Sequence, residues 1–117
     1  MRIPYITIWC EKYSECLEFY QDKLGLPVES SDENFTQFAT EPVKLYLHRI
    51  KDTDEALREH TIELHFEVKD VDERFNSLQE NGVEFEFPPE NMPWGVRMAA
   101  CRDPEGYSVE HVGPIKK

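Results

Sequence analysis

One pattern occurs twice along this chain: an alternating strand, a helix, a glycine stop and three more short strands. The first copy starts at Tyr5 and reaches Gly25; the second starts at Glu63 and reaches Gly82, at a nearly constant offset. Strand and helix order alone repeats easily by chance, but here the strand phases and the glycine stops agree as well. The repeat predicts an α+β chain of two βαβββ modules, one over about residues 1–50 and the other over about 61–117. At 117 residues both fit within one domain of ordinary size.

The phases can be read residue by residue. In the first strand Ile6, Ile8 and Cys10 share one face, and Tyr5, Thr7 and Trp9 share the other. A helix over Ser14 to Leu24 carries Cys16, Leu17, Tyr20 and Leu24 at helical spacing, and Gly25 ends it. Strands follow over Leu26–Glu29, Phe35–Ala39 and Val43–Arg49; in the last, Leu45 and Leu47 oppose Lys44, Tyr46 and His48. Residues 51–60 are a polar connection, with a short helical turn expected over Thr53–Arg58. In the second module Ile62, Leu64, Phe66 and Val68 alternate with Glu63, His65 and Glu67. Asp70 and Glu73 have capping-box spacing ahead of a helix with a Val71, Phe75 and Leu78 stripe. A strand over Val83–Phe87 should end at Pro88-Pro89. A loop then leads through Trp94-Gly95 to strands over Val96–Cys101 and Tyr107–Val112, joined by the turn Asp103-Pro104-Glu105-Gly106.

Charge and cysteine content narrow the partners. With 13 Lys and Arg against 24 Asp and Glu, no basic surface suits nucleic acid or an anionic membrane. The acidity favours a neutral or cationic ligand, or serves solubility alone. No apolar run approaches the roughly 20 residues that cross a bilayer, and the first residues do not read as a signal peptide. Cys10, Cys16 and Cys101 are odd in number without C-x-x-C spacing, which speaks for a reducing cytoplasm over a disulfide framework. No G-x-S-x-G and no glycine-rich phosphate loop occurs.

Several short motifs, taken in order, resemble the vicinal oxygen chelate superfamily, which includes glyoxalase, bleomycin-resistance and extradiol-dioxygenase-like proteins. They are Leu17-Glu18-Phe19-Tyr20, Leu24-Gly25-Leu26, the run from Phe66 to Glu73 containing Asp70-Val71, Pro93-Trp94-Gly95, and Asp103-Pro104-Glu105-Gly106 leading to Glu110. The resemblance covers essentially the whole chain. It implies a single domain whose two modules form a curved, cup-shaped mixed sheet, with helices outside and a small-molecule ligand inside, often completed as a homodimer. Metal enzymes of the superfamily carry His, Glu or Gln at four inward positions, which fall here on Tyr5, near Tyr46, on Glu63 and on Glu110. Tyrosine is a poor ligand for zinc, nickel, manganese or iron.

Two function classes follow. One is a binder of a small organic molecule without the usual four-ligand metal site. Tyr5, Thr7, Trp9, Tyr46, His48, His65, Trp94 and Arg97 are its candidate ligand residues, with Arg97 assigned the inward phase beside Ala99 and Cys101. The other is a metal-dependent lyase, isomerase or dioxygenase with a rearranged divalent site on Glu63, His65 and Glu110. In either class Glu110 and Glu63 are the candidate catalytic carboxylates, since two carboxylates close together in an apolar setting hold one proton readily. The bland reading makes the histidines rim residues and sends Trp9 into an interface. His111 has the helix-facing phase, which suits packing rather than catalysis.

Overall fold

A computed structural model describes residues 2–51 and 59–117; the helical turn expected over Thr53–Arg58 lies outside the described residues. The chain divides into two compact units, residues 4–63 and residues 1–3 together with 64–117.

In the first unit β1 (Tyr5–Cys10) leads into α1 (Tyr13–Glu18), which continues as a π-helical turn over Phe19–Lys23. Then come β2 (Val28–Ser31), β3 (Phe35–Phe38) and β4 (Lys44–Arg49). The strand order is β2-β3-β4-β1; β1 runs parallel to β4, and the other pairs are antiparallel. Gly25 closes the helical stretch at φ +74°, a backbone state that side chains other than glycine adopt at a cost.

The apolar face of this sheet packs as its alternation dictates. Cys10, Tyr13, Phe38 and Leu47 are buried together, with Ile8, Cys16, Leu17, Tyr20 and Leu45 against them. Phe38 and Leu47 are wholly enclosed, and a side chain so placed contributes about 1.5–3 kcal/mol. Tyr13 enters the core with its polar end satisfied. Its hydroxyl lies 2.5 Å from Thr36 Oγ1 and donates to the Asp32 carbonyl at 3.0 Å. A buried hydroxyl without such partners would oppose folding.

β5 (Ile62–Glu67) crosses the boundary, with Ile62 and Glu63 in the first unit and the rest in the second, which continues with α2 (Val71–Glu80), β6 (Phe85–Asn91), β7 (Arg97–Arg102) and β8 (Ser108–Gly113). The order here is β5-β8-β7-β6, with β7 antiparallel to both β6 and β8. Each unit thus ranks its strands second, third, fourth, first, so the repeat in the sequence is a repeat in topology. Asp70 caps α2, its Oδ1 accepting the Glu73 amide at 3.0 Å. Gly82 ends the helix region at φ +89°. Asp103 Oδ1 accepts the amides of Glu105 and Tyr107, both at 2.9 Å, and so holds the turn between β7 and β8.

One expectation fails in β6. The strand does not stop at Phe87 but runs through Pro88 and Pro89 to Asn91, with register shifts after Phe85 and after Phe87. Proline lacks the amide proton a central strand needs, yet β6 stands at the end of the strand order, where one row of amides needs no ladder partner.

Beneath α2, His111 is buried between aromatic rings, its centroid 5.9 Å from Phe66 and 6.0 Å from Phe85. Its Nδ1 and Arg74 Nε are buried without a hydrogen-bond partner among the described residues. Burial first, and the Arg74 charge second, hold the imidazole below its ordinary value of 6.5. The unfolded chain therefore takes up the proton first, so this contribution to stability is complete above about pH 6.5 and declines as pH falls below it. The urea midpoint should drop between about pH 7.5 and 5 more steeply in the wild type than in His111→Leu. Gly113 supplies a second test. A Cβ there would lie 2.6 Å from the Val68 carbonyl oxygen and 3.0 Å from Val71 Cγ2. Gly113→Ala should lower unfolding stability by about 1–3 kcal/mol, read as a lower urea midpoint at unchanged slope.

Candidate functional site

In the first unit the side of the sheet away from the core is an aromatic surface. Thr7 stands level with Tyr46, Trp9 with His48, and Phe35 with His48. The rings of Tyr5 and Tyr46 stack at 4.4 Å and 17°, and those of Trp9 and His48 at 4.2 Å and 19°. Phe35 meets both pairs edge-on, 5.2 Å from Tyr46 and 5.3 Å from His48. Such cross-strand aromatic contacts stabilise the sheet as well as shaping a surface. Thr7 is buried among them. The Trp9 indole donates to Glu63 Oε1 at 2.5 Å, so a carboxylate is tied to the same side. Gln37 faces Tyr46 and donates to Glu29, while Lys44 Nζ lies 3.6 Å from the Glu29 carboxylate.

Phe35 was not among the residues assigned from the sequence. Its signal is the alternation of β3, which sends Thr36 and Phe38 into the core and leaves Phe35 and Gln37 opposite.

A second cluster stands on β5 and β8. His65 is 4% exposed, and its Nδ1 lies 3.2 Å from Glu110 Oε1. Glu63 precedes His65 by two residues on β5, so both side chains leave that strand on one side. One ligand atom from each of Glu63, His65 and Glu110 lies within 4.8 Å of the other two. Two carboxylates this close repel one another, and a shared proton or a bound cation would relieve that repulsion. The donor set of one nitrogen and two carboxylate oxygens suits zinc, manganese, iron or nickel.

The four usual metal positions of the resembled superfamily do not fit such an ion. Tyr5 and Tyr46 occupy each other's ring faces. Burial, and then the Glu29 charge, push the Tyr46 phenol above its ordinary value, so it keeps the proton it must lose to bind a metal well. The group at Glu63, His65 and Glu110 does fit.

Arg97 requires a correction. β7 and β8 pair Arg97 with Gly113, Ala99 with His111 and Ala100 with Glu110. Met98, Ala100 and Arg102 therefore share the side of Glu110, while Arg97, Ala99 and Cys101 share the side of His111 beneath α2. Arg97 is committed there to α2: its Nε and Nη2 donate to the two Asp72 oxygens at 2.6 and 2.9 Å. That contact first, with the Arg97 charge, holds the Asp72 carboxyl below the usual carboxylate range. Trp94 is 66% exposed on the loop before β7.

These features agree with the comparison to known families. Residues 2–111 match the model of the Glyoxalase/Bleomycin resistance protein/Dioxygenase superfamily, and the chain belongs to that superfamily. It is 28% identical to the uncharacterized protein YraH of Bacillus subtilis (strain 168), over 94% of this chain and 96% of that protein. Among solved structures, a superfamily member from Vibrio splendidus 12B01 shares the fold with a TM-score of 0.72 at 15% identity, covering 96% of this chain and 97% of its own. The methylmalonyl-CoA epimerase of Streptomyces coelicolor, solved with 2-nitronate-propionyl-CoA, gives a TM-score of 0.75 at 21% identity, covering 97% and 94%. At these identities the structures report shared fold.

Since Arg97 braces α2 and not a ligand, Arg97→Met should lower the melting temperature and leave any small-molecule or metal affinity unchanged. Calorimetry of both properties on one preparation checks this.

Proposed function

We propose that this protein binds a small, flat organic molecule, neutral or cationic, on the aromatic surface of β1, β3 and β4. The observation that carries the reading is the pair of stacks, Tyr5 on Tyr46 and Trp9 on His48, beside the Glu63 carboxylate. Aromatic walls recognise planar ligands by stacking and cations through the ring quadrupole, and the carboxylate favours positive charge. The tyrosines also stand where metal enzymes of the superfamily carry ligands, so this surface works without the usual four-ligand ion. In this reading the molecule acts in the cytoplasm as a homodimer, with the sheet forming the ligand cup.

A second reading has its own support in the cluster of Glu63, His65 and Glu110. Here the protein is a lyase, isomerase or dioxygenase with a rearranged divalent centre. A bound ion would polarise substrate oxygens. In this reading Glu110, 3.2 Å from the buried His65 imidazole, would exchange a proton with substrate, with Glu63 hydrogen-bonded to the Trp9 indole.

One set of measurements separates the two. The purified protein is stripped and its uptake of zinc, nickel, manganese and iron followed by elemental analysis and calorimetry. Planar aromatic cations are titrated in parallel by tryptophan fluorescence. The first reading expects micromolar dye binding, weakened at least about tenfold in Tyr46→Ala (about 1.4 kcal/mol), with no stoichiometric metal. Stoichiometric metal lost in Glu110→Ala would establish the second reading. Neither metal nor aromatic ligand binding would overturn both.

A further inference from the structure

The core of the first unit holds two thiols that the ligand readings leave unused. Cys10 is the last residue of β1 and is buried; Cys16, on α1, is half-buried and packs against the same core cluster. Only the connection through Glu11 and Lys12 and the first helical turn separate them in sequence, and the Cys16 amide already donates to the Lys12 carbonyl at 2.9 Å. Cys10 Sγ donates to the Ile8 carbonyl at 3.6 Å, which turns its lone pairs toward other neighbours. We infer that Cys10 and Cys16 form an internal dithiol–disulfide couple, in which oxidation staples the first turn of α1 to the end of β1 and reduction releases it.

The environments of the thiols assign the order of events. Burial first, and contact with the Cys16 thiol next, push Cys10 up to about 12, so Cys10 stays protonated and does not initiate exchange. Cys16 is the thiol that solvent reaches. Its thiolate attacks one sulfur of a low-molecular-weight disulfide such as oxidised glutathione. The S–S bond of that disulfide breaks, and one half leaves and takes up a proton. Cys10 then attacks the Cys16 sulfur, its S–H proton passing to the departing second half. The protein loses two protons and two electrons, and the small disulfide becomes two thiols. Because the second step draws on a protonated, buried thiol, closure should take minutes to hours rather than seconds. Cys101 lies in the other unit, buried on β7, where burial and the Glu86 charge raise its thiol. It stays reduced throughout.

The test uses the full chain, equilibrated over a range of reduced-to-oxidised glutathione ratios, quenched with acid and alkylated. Lys12 lies between the two cysteines, so trypsin separates them, and a disulfide joins the peptides 3–12 and 13–23. The expected oxidised product is two hydrogens lighter, monomeric in its crosslink, and alkylated at Cys101 alone. Dithiothreitol should restore all three alkylation sites. In Cys10→Ala the glutathione adduct should persist on Cys16 for lack of a resolving thiol, whereas Cys101→Ser should behave as the wild type. Three free thiols across the whole range, a stable glutathione adduct on wild-type Cys16, or a crosslink through Cys101 or to a second chain would each overturn the inference. The peptide map of the wild type decides the matter even where Cys10→Ala does not fold.

Discussion

Burial of one face of β1 against α1 sets the terms for the rest of the first unit. Ile8 and Cys10 pack toward Tyr13, Cys16, Leu17 and Tyr20, and a strand cannot turn both of its faces inward on one helix. Once those residues are committed, Tyr5, Thr7 and Trp9 must stand on the opposite side. The parallel pairing with β4 then brings Tyr46 and His48 level with Thr7 and Trp9. A slip of one residue would exchange the aromatic surface for the core. The surface that gives this chain a candidate function is therefore the complement of its packing.

The second unit uses the same strand order for different chemistry. β7 is buried along Met98–Cys101, so its side chains near Glu110 are small or apolar, and Ala100 stands directly across from Glu110. An ionised carboxylate in such company needs compensation, and His65 Nδ1 stands 3.2 Å from Glu110 Oε1. The pairing explains why a histidine 4% exposed can occupy a strand position otherwise suited to an apolar residue. It also separates two histidines that look alike in sequence. His65 has a carboxylate at 3.2 Å. His111 has aromatic rings and a neighbouring cation, which oppose its charged form.

How far the sequence could be read depended on whether each strand carries a difference between its faces. β1, β4 and β5 alternate sharply, so the side of Tyr5, Trp9, Tyr46, His48, Glu63 and His65 could be taken from the residues alone. The caps were legible for a similar reason: Asp70 with Glu73, and the glycines after each helix, meet local demands that tertiary packing does not alter. β7 offers no such contrast. Met98, Ala99, Ala100 and Cys101 are buried on both sides, so nothing in their hydropathy marks which way Arg97 points, and the pairing with β8 decides it. The prolines of β6 misled because their usual meaning assumes a strand with neighbours on both sides.

The contrast between the units bears on what this member of the superfamily does. A four-ligand metal site of the usual kind needs suitable donors from both halves of the repeat. Here the first half has given its two positions to stacked tyrosines, and a phenol that burial and Glu29 keep protonated is not a donor in waiting. The second half has kept Glu63 and Glu110 and added His65. An ion bound there would be held by β5 and β8 alone, with three protein donors and open positions, the arrangement of a reactive centre rather than a structural one. The same three groups without an ion form an imidazole–carboxylate pair beside a second carboxylate.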